Sequence, residues 1–208
     1  YNPVIGRFLN EDTYYGDGPN LYTYCHNNPV NYVDPSGHVC RRKFNKLRKL
    51  GLTAQEAFTF MKNAGSVNGI VDKGQLGEKL MDRIMEIRGY EKLPSKVGSN
   101  NGIDGIYVKR DPRTGKISKL VIGEAKFGNS RLGKTSMGRQ MEQTWIEGNI
   151  RKMLNQINST VVINAGKELN KYVIIDQKPY IAAIFRSRKT GNISIKYRQQ
   201  AVGSYTIW

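Results

Sequence analysis

Four polar side chains stand out by type and spacing: Glu78, Asp104, Glu124 and Lys126. The last two lie in the run Leu120-Val121-Ile122-Gly123-Glu124-Ala125-Lys126-Phe127, which reads as a buried strand. Side chains alternate across a strand, so Glu124 and Lys126 share one face and Ala125 takes the other. Burying charges is costly unless they are paired or hold a metal. Two carboxylates with a backbone carbonyl form a hard oxygen set suited to Mg²⁺ or Mn²⁺. An ammonium beside them can orient a water and stabilise developing negative charge. The chemistry implied is metal-assisted hydrolysis, and Glu78 would add a ligand or meet a second metal.

These residues need elements to position them. Thr53 to Ala64 reads as a short helix, with Thr53 as N-cap and Glu56 completing a capping box. Gly74 to Arg88 reads as an amphipathic helix that stops at Gly89. Leu76, Leu80, Ile84 and Ile87 form its apolar stripe, broadened by Met81 and Met85, with Lys79, Asp82, Arg83 and Glu86 opposite. Glu78 falls at the stripe's margin, at the rim of the core. Taken alone, it also reads as a first-turn glutamate favoured by the helix dipole. Asn101 to Val108 reads as a strand with Asp104 inside it, and Asp111-Pro112-Arg113-Thr114-Gly115 as a turn into a strand over Ile117–Phe127. In register, that hairpin sets Asp104 beside Glu124. Ser136 to about Ile157 is expected to be a long helix with Met137, Met141, Trp145, Ile146, Ile150, Met153, Leu154 and Ile157 turned inward. Trp145 reads as core ahead of a base-stacking platform. Tyr172–Ile175, Ile181–Phe185 and Ile193–Tyr197 read as further strands.

The chain has 208 residues, a net charge of +16 and no run of about 18 apolar residues that would span a membrane. The charge is uneven. Residues 1–38 hold Arg7 against Glu11, Asp12, Asp17 and Asp34, leaving +19 on residues 39–208. A basic excess of that size points to a polyanionic partner, nucleic acid before an acidic protein. Arg131, Lys134 and Arg139 follow the proposed site in sequence and could track a phosphate backbone; a solvated loop is the plainer account of Arg131 and Lys134. Cys40 to Leu50 is strongly basic, with Phe44, Leu47 and Leu50 at helical spacing. Two cysteines and two histidines show neither a disulfide framework nor zinc-ligand spacing. No phosphate-binding loop, serine elbow or zincin helix is present.

Residues 1–38 differ in kind: short aromatic runs separated by Asn, Gly and Pro, too small a piece to fold alone. The chain opens mid-pattern at Tyr1, as expected of a piece excised from something larger. Gly6-Arg7-Phe8, Asn20-Leu21-Tyr22, Asn27-Asn28-Pro29 and Asp34-Pro35-Ser36-Gly37 closely resemble the end of the core region of Rhs (YD-repeat) proteins. That resemblance implies a β-cage shell upstream and a variable toxin downstream. The toxin is often released by autoproteolysis just past the motif, with Asp34 as the matching aspartate. Here His38-Val39 follows the motif in place of the hydrophobic residue often found there.

The order helix Glu78, strand Asp104, then Glu124-x-Lys126 resembles the PD-(D/E)xK, or restriction-endonuclease-like, nuclease superfamily over about residues 70–160. Gly102-Ile103-Asp104-Gly105 and Gly123-Glu124-Ala125-Lys126 carry the match, without a Pro before the motif Asp. The resemblance implies an α/β fold with a mixed central sheet flanked by helices, preceded by the short β-rich Rhs remnant. It implies Asp104, Glu124 and Glu78 as metal ligands for Mg²⁺ or Mn²⁺, and Lys126 acting on the attacking water. Gln140 would support the site from the following helix, with Gln143 the weaker option. The expected organisation is an Rhs segment over 1–38, a basic linker and helical region over 39–70, and a nuclease toxin domain over 71–208. Together the two resemblances imply a secreted effector delivered into the cytoplasm of a target cell and countered by an acidic immunity protein. DNA is the expected substrate. A tRNA- or RNA-cleaving toxin on the same fold, or a non-catalytic basic nucleic-acid-binding module, are the alternatives.

Overall fold

A computed structural model of the chain describes residues 41–66, 70–97, 101–189 and 191–200, with residues 2, 4, 5, 7 and 9. Most of the Rhs-like motif, Asp34 included, lies outside the described residues. Of that segment, Asn2 and Arg7 form one antiparallel bridge.

Three helices come first: α1 (Arg41–Lys49), α2 (Ala54–Ser66) and α3 (Ile70–Ile87). In α1, Phe44 and Leu47 are buried while Asn45, Lys46, Arg48 and Lys49 face solvent. The capping box of α2 is present. Glu56 N–H donates to Thr53 Oγ1 (3.2 Å), and Thr53 N–H donates to Glu56 Oε2 (2.7 Å). Helix α3 begins four residues earlier than its apolar stripe indicates. It ends in a Schellman motif: Gly89 (φ +73°) and Tyr90 donate N–H groups to the carbonyls of Glu86 and Met85. Leu80, Met81, Ile84 and Met85 are buried as its stripe requires. Ile87, expected on that stripe, is exposed at the margin, beside the backbone of Gly51.

The sheet has five strands in the order β1-β4-β5-β8-β9. These are β1 (Glu91–Leu93), β4 (Gly105–Arg110), β5 (Ile117–Phe127), β8 (Tyr180–Ser187) and β9 (Ile193–Gln200). All neighbours are antiparallel except β5 and β8, which run parallel. A parallel pair needs a long crossover. Here it contains α4 (Gln143–Leu154), α5 (Thr160–Leu169) and a π-helical stretch over Asn170–Ile175. The molecule is therefore mixed α/β. Two two-stranded ribbons stand apart from the sheet: β2 (Lys96–Val97) with β3 (Asn101–Gly102), and β6 (Lys134–Thr135) with β7 (Gly138–Arg139).

Helices cover both faces, so the centre of β5 is apolar on each side. Leu120 and Ile122 join Ile146, Ile150 and Leu169 in one core; Val121 joins Met81, Ile84 and Phe185 in the other. Each such side chain contributes roughly 1.5–3 kcal/mol on burial. Among the described residues, no helix is long and apolar enough to cross a membrane.

Three elements differ from their sequence reading. The strand expected over Asn101–Val108 breaks at Ile103–Asp104, because Gly102 (φ +125°) turns the chain. The helix expected from Ser136 begins only at Gln143. Gly138 (φ +109°) and Met141 (φ +71°) adopt left-handed backbone that no helix tolerates, and β6 and β7 fill the interval. That helix ends at Leu154, leaving Ile157 almost fully exposed. Tyr172–Ile175 continues α5 as π-helix and forms no strand. A four-residue apolar run fits either element, and here Tyr172 and Val173 pack into the core from a helical backbone.

Candidate active site

The site lies where β4 begins and β5 ends. Gly105 pairs with Gly123 at the end of the ladder, and the next positions outward are Asp104 and Glu124, near enough that the Asp104 carboxylate raises the Glu124 pKa. Small residues bring α3 down onto this end of the sheet. A Cβ on Gly123 would lie 2.6 Å from Met81 Sδ, and one on Gly77 would touch Ala125 Cβ at 3.4 Å. Glu78 follows Gly77 directly and sits one turn before Met81, so this close docking carries it to the strand ends.

The charged groups form a connected series. Lys96 Nζ donates to Glu78 Oε1 at 3.2 Å and to Asp104 Oδ1 at 2.7 Å. Asp104 Oδ2 accepts from the Ala125 N–H at 3.0 Å, which ties the aspartate to the Glu124-x-Lys126 strand. Lys126 Nζ lies 2.8 Å from Glu124 Oε1 and donates to Gln140 Oε1 at 2.9 Å. Gln140 Oε1 also accepts from the Gly133 N–H at 2.8 Å, so its amide is fixed from two sides.

Glu124 is the anomaly. Its side chain is 3% exposed, and among the described residues Oε2 has no hydrogen-bond partner. Burial, and then the Asp104 carboxylate, push it up to about 7 against the pull of Lys126. Lys96 shows the opposite balance. Burial works against its ammonium, and Asp104 and Glu78 outweigh it, holding it above the ordinary lysine value. Behind the site, Tyr107 OH donates to Asp82 Oδ1 at 2.6 Å, fixing the ring that packs beside Gly105 and Gly123.

Glu78, Asp104, Glu124, Lys126 and Gln140 are therefore gathered at one place. Gln140 reaches it from the loop after β7 and not from a helix. Gln143 does not join; its amide donates to Glu147 Oε1 within α4. Trp145 is buried in the core and offers no stacking platform. Arg131, Lys134 and Arg139 are exposed on the segment between β5 and α4, with Lys134 and Arg139 paired across β6 and β7. The sequence reading missed Lys96. It sits in a two-residue strand after Pro94-Ser95, where no periodicity marks it.

Among the described residues, no three His, Cys, Asp or Glu side chains converge closely enough to hold a metal ion. The expected triad of Glu78, Asp104 and Glu124 is thus present as a neighbouring pair, Asp104 and Glu124, with Glu78 joined to it through Lys96. The pair fits a hard divalent cation. Both donors are carboxylates, and the buried, unpartnered Glu124 Oε2 is an oxygen in want of a positive partner. No protein-family model, curated protein or solved structure matches this chain. Its functional reading rests on these residues.

Proposed function

We propose that the described region is a divalent-metal-dependent nuclease of restriction-endonuclease-like architecture, hydrolysing phosphodiester bonds. One observation carries the reading: a buried glutamate with an unsatisfied oxygen, beside Asp104, on the same strand face as a lysine fixed by Gln140. A sheet whose motif strand β5 runs parallel to β8, with a carboxylate-bearing helix ahead of it, supports that architecture.

Asp104 and Glu124 would hold Mg²⁺ or Mn²⁺, with Glu78 close behind. When bound, the cation supplies Lewis acidity to the scissile phosphate and lowers the pKa of water. Lys126, held by Glu124 and Gln140, would orient the attacking water and offset the negative charge developing on the phosphate. Gln140 keeps Lys126 from collapsing onto Glu124 alone. The +19 charge of residues 39–208 draws in the polyanion, and Arg131, Lys134 and Arg139 would take backbone phosphates beside the site. DNA is the proposed substrate, by resemblance. With the Rhs-like leader, the chain reads as a toxin delivered into the cytoplasm of a target cell, released from an Rhs shell and neutralised by an acidic immunity protein.

The test is cleavage of plasmid DNA and of tRNA by the purified chain with Mg²⁺ or Mn²⁺, with EDTA and with Glu124→Ala and Lys126→Ala. Metal-dependent cleavage lost in both variants is the expected result, and the preferred substrate separates DNase from tRNase. Undiminished cleavage by both variants rejects the reading. Salt-sensitive binding without cleavage selects a basic nucleic-acid-binding module, a reading favoured by one observation: Lys96 already pairs two of the carboxylates.

A further inference from the structure

Lys96 occupies the position that a cation at this site would want. Its ammonium is bound by one oxygen of Asp104, just before β4, and one of Glu78 on α3. Its strand stands apart from the five-stranded sheet: β2 is two residues long and pairs with β3, and Val97 anchors it against the core. What the ribbon does is aim. Lys96 lies opposite Gly102, two residues before Asp104. Gly102 permits that approach, since a Cβ there would stand 2.9 Å from the Ser95 carbonyl oxygen. The ammonium is thereby delivered over the aspartate by a short, tight ladder.

We infer that Lys96 is a resident counter-cation, holding Asp104 and Glu78 in place until a divalent ion displaces it from Asp104. The inference rests on the nuclease reading and adds a positioning residue to it. An ammonium and a divalent cation seek the same carboxylate oxygens, so both cannot hold Asp104 Oδ1 at full strength. The lysine's long, flexible stem lets the displaced charge move off without moving the backbone. Glu124 Oε2, buried and unpartnered, is what Lys96 does not satisfy, and it is the oxygen left for the incoming ion. Lys96 thus stabilises the metal-free fold and lowers its affinity for the ion.

The experiment compares the full chain with Lys96→Gln and Lys96→Met, by calorimetric Mn²⁺ titration and by thermal melting with and without Mn²⁺. Removing one positive charge from the ligand oxygens should tighten Mn²⁺ binding by about tenfold. It should also lower the melting temperature in EDTA and enlarge the rise that Mn²⁺ produces. Lys96→Gln keeps a hydrogen-bond donor on Asp104 and serves where Lys96→Met does not fold. Glu124→Ala added to either variant should abolish the binding. A purely structural lysine would lower both melting temperatures equally and leave the affinity unchanged or weaker, which overturns the inference. If the wild type binds Mn²⁺ through Glu124 but the Lys96 variants bind no tighter, only this inference falls. If neither wild type nor variant binds Mn²⁺, the nuclease reading falls with it.

Discussion

Strand β4 has a charged cluster at each end, and the two are built differently. At its last residue, Arg110 pairs with Glu91 and Glu168, whose side chains are about half exposed at 54% and 45%. Before its first residue, Asp104 meets Lys96 and Glu124, with Glu124 at 3%. Water screens the Arg110 cluster, so each of its pairs is worth about 0–1 kcal/mol. The cluster at Asp104 runs from partly exposed Lys96 and Glu78 to fully buried Glu124, and among the described residues one oxygen of Glu124 is left without a partner. Apolar residues of similar size there would leave the fold as stable or more so. A desolvated, half-satisfied carboxylate adds little to stability, as the proposed metal-binding role expects.

The sharpest way to break this contrast is at Glu124. Glu124→Ala should reduce nucleic-acid cleavage by roughly 10²-fold or more, read as the initial rate of plasmid nicking with Mg²⁺. The same substitution at an ordinary ion pair would leave the rate unchanged.

The next largest effect is steric. Gly123→Ala sets a methyl 2.6 Å from Met81 Sδ and 3.2 Å from the Tyr107 ring, both fully buried. It should cost about 1–3 kcal/mol in a urea melt and loosen α3 from the site. An unchanged melt would mean that the glycine contacts do not set the position of Glu78.

A third prediction concerns pH. The folded value of Glu124 is raised from the ordinary 4.5 to about 7, so the folded state binds the proton more tightly than the unfolded chain. The stability this contributes is full below about 4.5 and is lost as pH rises through about 7. In EDTA at pH 8, Glu124→Gln should therefore melt at or above the wild-type temperature, and the difference should vanish near pH 4. A lower melting temperature at pH 8 would show that ionised Glu124 is well satisfied. The smallest effect is expected at the other end of the strand. Arg110→Ala should change stability by less than about 1 kcal/mol, shrinking further in high salt.

The site was legible to different depths. Glu124 and Lys126 stand out because they follow the continuous apolar run Leu120-Val121-Ile122 in a long strand, where a charge breaks the pattern. Asp104 follows from the turn at Asp111–Gly115, since a hairpin register places opposite residues. That turn is present, with Asp111 Oδ1 accepting from the Arg113 and Thr114 N–H groups. Gln140 could be found only by likeness, and the helix expected to carry it begins only at Gln143; a loop delivers it. Lys96 could not be found at all, because a two-residue strand has no period to read. The β6 and β7 ribbon and the π-helical run were hidden for a related reason. Backbone sign at Gly138 and Met141, and the packing of Tyr172, are settled by contacts from other elements.

By itself, the sequence determined the apolar run of β5, the capping box of α2, the apolar face of α3 and the charge imbalance. Each depends on neighbours within a few residues or on composition, which folding does not alter. Tertiary structure alone decided that Gly77 and Gly123 let α3 close on the sheet, that Gln140 reaches Lys126, and that Lys96 lies over Asp104. Those contacts join residues far apart in sequence, and local periodicity carries no information about which distant side chain will meet a given charge.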